Sequence, residues 1–138
     1  MTPEHKRLVK KSWDRVFPQQ HEVARRFYER LFFAHPEVKT YFRGDMLEQG
    51  RKLMAMLDAA VRSLDNLDAL TEPLRRSGQA HATYGVTPAD YDKVGDALLW
   101  TLEKQLGAAF TPADREAWRT VYATVADIMI DGAGSPAS

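Results

Sequence analysis

The sequence contains no cysteine, which removes disulfides, thiolate nucleophiles and thiolate metal ligands while leaving the compartment open. It has no apolar run approaching the roughly 18 residues that a membrane span needs, and its start, MTPEHKRLVKKSW, lacks the apolar segment of a secretory leader. A soluble, cytoplasmic protein is the expectation. Charge of one sign is also missing: 19 basic residues meet 19 acidic ones, so bulk attraction to nucleic acid or to an anionic membrane is not indicated. No phosphate-cradling glycine motif, no His-Glu-x-x-His pair and no sustained strand alternation is present. What remains, at 138 residues, is one domain with a sizeable core and no room for a second catalytic module.

The pattern that is present is helical throughout. Thr2-Pro3-Glu4 supplies a cap followed by a proline at the first helical position, where its missing donor costs nothing. Leu8, Val9, Trp13 and Val16 then form an inward face that ends at Pro18. A second helix is predicted from Gln20 to Phe33, with Val23, Phe27 and Leu31 on one line and Tyr28 at the core's border. His35-Pro36-Glu37-Val38 begins a short aromatic corner carrying Tyr41 and Phe42 and closed by Arg43-Gly44-Asp45. Met46 to Leu64 reads as a long amphipathic helix. A shorter one from about Leu67 to Ala82 is interrupted early by Pro73 and loosened by Gly78. Thr87-Pro88-Ala89-Asp90 and Thr111-Pro112-Ala113-Asp114 repeat one start signal ahead of two long helices. Those caps account for Asp90 and Asp114, so paired-carboxylate catalysis is not indicated. The expectation is an all-α domain of seven or eight unequal helices over residues 1–131, packed at crossing angles around a pocket, with 132–138 as a glycine-rich flexible tail.

Two polar residues interrupt apolar stripes. His81 recurs with Leu70 and Leu74 at helical spacing, and Gln49 precedes Leu53, Leu57, Ala60 and Leu64. An imidazole and an amide facing each other across an apolar space suit a flat, iron-bearing macrocycle. Taken singly, each candidate also has a plainer role. His81 serves as a favourable cation or cap near a helix C-terminus, Gln49 as a solvent-facing residue, Tyr28 as a core tyrosine and Phe42 as packing. His5, His21 and His35 look peripheral, and Trp13, Trp100 and Trp118 read as packing residues.

The ordered set Phe27-Tyr28, His35-Pro36-Glu37-Val38, Phe42, Gln49, Leu53, His81, Tyr84-Gly85-Val86, Tyr91 and Val94-Gly95 resembles bacterial single-domain globins. It is similar to the haem domains of flavohaemoglobins and to bacterial neuroglobin-like globins, from about Leu8 to Ile130. The resemblance implies a globin fold around haem b, with His81 as the proximal iron ligand and Phe42 against the porphyrin. It further implies Tyr28 and Gln49 as the distal pair that hydrogen-bonds a diatomic ligand, or as catalytic residues if the protein is an enzyme. Leu53, Leu57, Val86 and Val94 match apolar positions around the haem, and Lys52 matches a propionate partner. Tyr91 matches a tyrosine that joins a glutamate and the proximal histidine. That glutamate would fall near position 133, where this chain has Ala133, so the expected carboxylate push on His81 is missing.

The function so implied is reversible, high-affinity binding of dioxygen, with carbon monoxide and nitric oxide as further ligands and an open sixth coordination position. Two alternatives stand beside it. One is a nitric oxide dioxygenase served by a separate reductase, and the other is a haem-based gas sensor acting through a protein partner. No nucleic acid or membrane partner is expected.

Overall fold

Threonine caps start three of the helices. The Thr2 side chain accepts from the His5 backbone N–H at 3.1 Å. Asp90 and Asp114 each accept from the backbone N–H of the threonine three residues before, at 2.9 Å. In the computed structural model, which describes residues 1–134, these signals open α1 (Pro3–Val16), α5 (Pro88–Leu106) and α6 (Pro112–Ala133). Between them lie α2 (Gln20–Ala34), α3 (Met46–Arg62, capped by Asp45) and α4 (Asp68–Thr83). Short 3-10 turns occupy Phe17–Gln19, Pro36–Tyr41, Leu64–Asn66 and Gly107–Ala109. The described residues thus form six α-helices and no strand, with the longest of the four 3-10 segments at Pro36–Tyr41. Pro73 lies inside α4 without ending it.

The core forms where the predicted faces converge. Trp13, Leu31, Met54, Leu64 and Leu102 are fully enclosed. Both buried tryptophans satisfy their single donor, Trp13 on the Asp58 carboxylate at 2.9 Å and Trp118 on the Ser12 hydroxyl at 2.6 Å. These two bonds tie α1 to α3 and to α6.

The crossing of α4 and α6 fixes the site. A Cβ placed on Gly78 would stand 1.9 Å from the Met129 carbonyl oxygen, and one on Gly132 would stand 2.4 Å from the Arg75 carbonyl oxygen. Each glycine therefore receives the other helix's backbone, and Arg75 pairs with Asp131 beside them. Gly78 is a notch for α6 rather than a loosening of α4. α6 accordingly runs on through Gly132 and Ala133, further than their composition suggested; residues 135–138 of the predicted tail lie outside the described residues.

Candidate functional site

His81 occupies the last turn of α4, three residues after Gly78 and on the same face. The close crossing carries its imidazole into a cleft bounded by α3, α5 and α6. Its Nδ1 lies 2.6 Å from the Ser77 carbonyl oxygen. A carbonyl only accepts, so Nδ1 holds the proton and the lone pair sits on Nε2. A helical histidine thus uses the carbonyl four residues earlier to fix its own tautomer.

The cleft is apolar and partly open to solvent. Leu53, Met56 and Leu57 of α3 form one wall and Val94 and Leu98 of α5 another. Trp118, Val125 and Met129 of α6 form the back, with Val86 near the turn that follows His81. Besides His81, the notable polar groups at its border are Asp90 and two tyrosines. Burial would raise the Asp90 carboxyl, but bonds from Thr87, Lys93 and Tyr41 outweigh it and hold it at about 2. The Tyr122 hydroxyl donates to the Tyr91 carbonyl at 2.6 Å, and burial pushes its ionisation well above the ordinary value. The Tyr91 hydroxyl is buried with no hydrogen-bond partner among the described residues, and burial raises it too. An orphaned donor of this kind marks a place built to meet a polar group.

Six residues proposed from sequence, Leu53, Leu57, His81, Val86, Tyr91 and Val94, therefore share one cleft. Tyr28, Phe42 and Gln49 gather instead where α2 meets α3. The Tyr28 hydroxyl is 3.4 Å from the Gln49 carbonyl oxygen, a long bond that leaves it readily turned. Phe42 stands edge-on to Tyr28 and to Phe32, with centroids 5.3 and 5.4 Å away. Tyr28 also borders an open groove with Ala24, Phe32, Met46 and Met54. Burial moves its hydroxyl up to about 12, so it is a donor at neutral pH. Gln49 is half-buried one turn before Leu53, and Lys52 is exposed outside the cleft. The α6 wall and Asp90 were not assigned to the site from sequence. Trp118, Tyr122, Val125 and Met129 recur at helical spacing, a signal that was legible as a face but not as a cleft lining.

The donor set determines what fits. Among the described residues no three His, Cys, Asp or Glu side chains gather to hold a bare ion. One imidazole in an apolar cleft suits an ion that brings its other ligands on a largely apolar macrocycle, and Tyr91 offers that group a hydrogen bond. The globin family profile matches residues 25–129. The chain belongs to the globin family. This globin is 31% identical over 138 residues to a flavohaemoprotein of Vibrio cholerae, covering 98% of the chain but 35% of that protein. It is 31% identical over 146 residues to a neuroglobin of Tetraodon nigroviridis, covering 96% of the chain and 92% of that protein. Among solved structures it is similar to an engineered carbene transferase made from a Rhodothermus marinus protein assigned as a nitric oxide dioxygenase. That likeness has a TM-score of 0.87 at 26% identity and covers 96% and 93% of the two chains. The chain spans about a third of the length of the flavohaemoproteins it matches. Globin membership implies haem as the group held here, and the residues present fit it. No helix among the described residues is long and apolar enough to cross a membrane.

Proposed function

We propose that this globin binds haem b through His81 Nε2 and acts as a cytoplasmic dioxygen-binding protein with the sixth iron position open. The observation that carries the reading is the His81 imidazole, with its Nδ1 proton given to the Ser77 carbonyl, on the border of an apolar cleft. When bound, haem supplies a reducible iron that takes diatomic ligands. The chain's own residues do the rest. Leu53, Leu57, Val86, Val94 and Leu98 exclude water, and Phe42 packs at the corner. Tyr28 and Gln49, which meet at the α2–α3 junction beside the cleft, would donate hydrogen bonds to a bound ligand, and such bonds are worth most in a low-dielectric site. Lys52, exposed on α3 outside the cleft, is the proposed partner of a propionate. Among the described residues lining the cleft the one carboxylate is Asp90, which Thr87 and Lys93 engage, and Ala133 stands where the resemblance would place another. A backbone carbonyl makes the imidazole a weaker electron donor than a carboxylate would, which favours binding over activation of dioxygen.

Turnover of nitric oxide with a separate reductase is the second reading, supported by the assignment of the Rhodothermus marinus protein and by the flavohaemoprotein relatives. Stopped-flow oxygen release tests the distal assignment. Tyr28→Phe is expected to release oxygen about ten- to a hundredfold faster, the loss of one buried hydrogen bond. An unchanged rate rejects the role of Tyr28, and sustained nitric oxide consumption with a reductase present places the enzyme reading first.

A further inference from the structure

Outside the roles assigned so far, one polar assembly stands at the edge of the cleft. The Tyr41 hydroxyl lies 2.9 Å from an Asp90 carboxylate oxygen and 3.2 Å from the Gly85 carbonyl oxygen, and its single proton is shared between the two acceptors. The same carboxylate oxygen accepts from the Thr87 backbone N–H at 2.9 Å and the Thr87 hydroxyl at 3.0 Å. Lys93 reaches the other oxygen at 3.1 Å and bridges to Glu37 at 3.2 Å, back on the corner. Asp90 is only 5% exposed.

The placement of this assembly gives it consequence. Tyr41 ends the corner at Pro36–Tyr41, and Phe42 follows it directly. Gly85 belongs to the turn that leaves α4 after His81, where the Tyr84 and Val86 backbone N–H groups both donate to the His81 carbonyl, at 3.0 and 3.1 Å, and Asp90 to the first turn of α5. Val86, Asp90 and Tyr91 all border the cleft. The corner's backbone packs mainly on α2, so its join to the start of α5 rests on side chains. A cap for α5 needs Asp90 and Thr87 alone. The capping geometry does not call for Tyr41 or for the Lys93 bridge.

We propose that Tyr41 and Asp90 form a latch that ties the corner carrying Phe42 to the turn after His81, closing that edge of the cleft and holding the proximal turn in place. This rests on the haem reading above. Tyr41 is a positioning residue: it keeps the His81–Val86 turn fixed and slows the escape of haem past Val86.

Haem transfer from the purified holoprotein to excess apomyoglobin tests the latch, using Tyr41→Phe, which keeps the ring and removes the hydroxyl. Losing one charge-assisted hydrogen bond is expected to speed haem loss about tenfold. The ferrous iron–histidine stretching band is expected to shift or broaden, a change that a loss of global stability would not produce. Unchanged loss with an unchanged band overturns the latch. If the unsubstituted protein takes up no haem, the haem reading fails instead, and amide exchange then decides the latch by itself. Faster exchange at Gly85 and Val86 in Tyr41→Phe supports it, and unchanged exchange overturns it.

Discussion

His81→Ala is expected to fold and to lose haem. The imidazole is the one histidine among the residues lining the cleft, and the Asp90 carboxylate there is already engaged by Thr87, Lys93 and Tyr41. Ser77 contributes a backbone carbonyl that faces Nδ1 and cannot take over the axial bond. Changes in groups that merely support a ligand already cost about ten- to a hundredfold in metal affinity, so removing the ligand itself costs more than about a hundredfold. Alanine is the best helix former, and α4 keeps its notch at Gly78, so the helix survives. The absorbance of haem that remains with the protein after gel filtration measures the effect. Retention equal to that of the unsubstituted protein would place the ligand elsewhere.

Gly78→Ala is the second change with a large expected effect, and it acts on stability. Replacing a helical glycine by alanine ordinarily stabilises by about 1 kcal/mol. Here the added methyl would stand 1.9 Å from the Met129 carbonyl oxygen, so α4 and α6 must separate. Overpacking of this kind costs roughly 1–3 kcal/mol and more where backbone must move. Steric cost therefore outweighs propensity, and we expect the melting temperature to fall by roughly 5–10 °C. Haem retention should weaken with it, because His81 lies one turn beyond the notch. Thermal unfolding followed by circular dichroism reads the first effect; a melting temperature that rises would contradict the crossing.

These two residues differ in how far the sequence revealed them. His81 was legible because a polar residue on an apolar stripe is conspicuous, and its companions Leu53, Leu57, Val86, Tyr91 and Val94 do border the same cleft. The threonine caps were legible because capping is local: donor and acceptor lie three residues apart. Gly78 hides its role for the opposite reason. A helical glycine looks like a weakness unless the backbone that fills it is known, and Met129 is far along the chain. The cap with Thr87 accounts for Asp90 in the sequence, and its bond to Tyr41, 49 residues away, leaves no local mark. The distal group was legible in part. Tyr28, Phe42 and Gln49 do meet, but at the α2–α3 junction, and Lys52 stays on the surface. The spacing of a stripe reports a face, and only the crossing angles decide what that face looks onto.

His81 would be the one strong protein ligand of the haem iron, leaving the iron able to take a diatomic ligand. The ferrous absorption spectrum of the haem-loaded protein, recorded before and after carbon monoxide, tests it most directly. A five-coordinate spectrum that shifts on adding carbon monoxide is expected; a six-coordinate ferrous spectrum without added ligand rejects the open position.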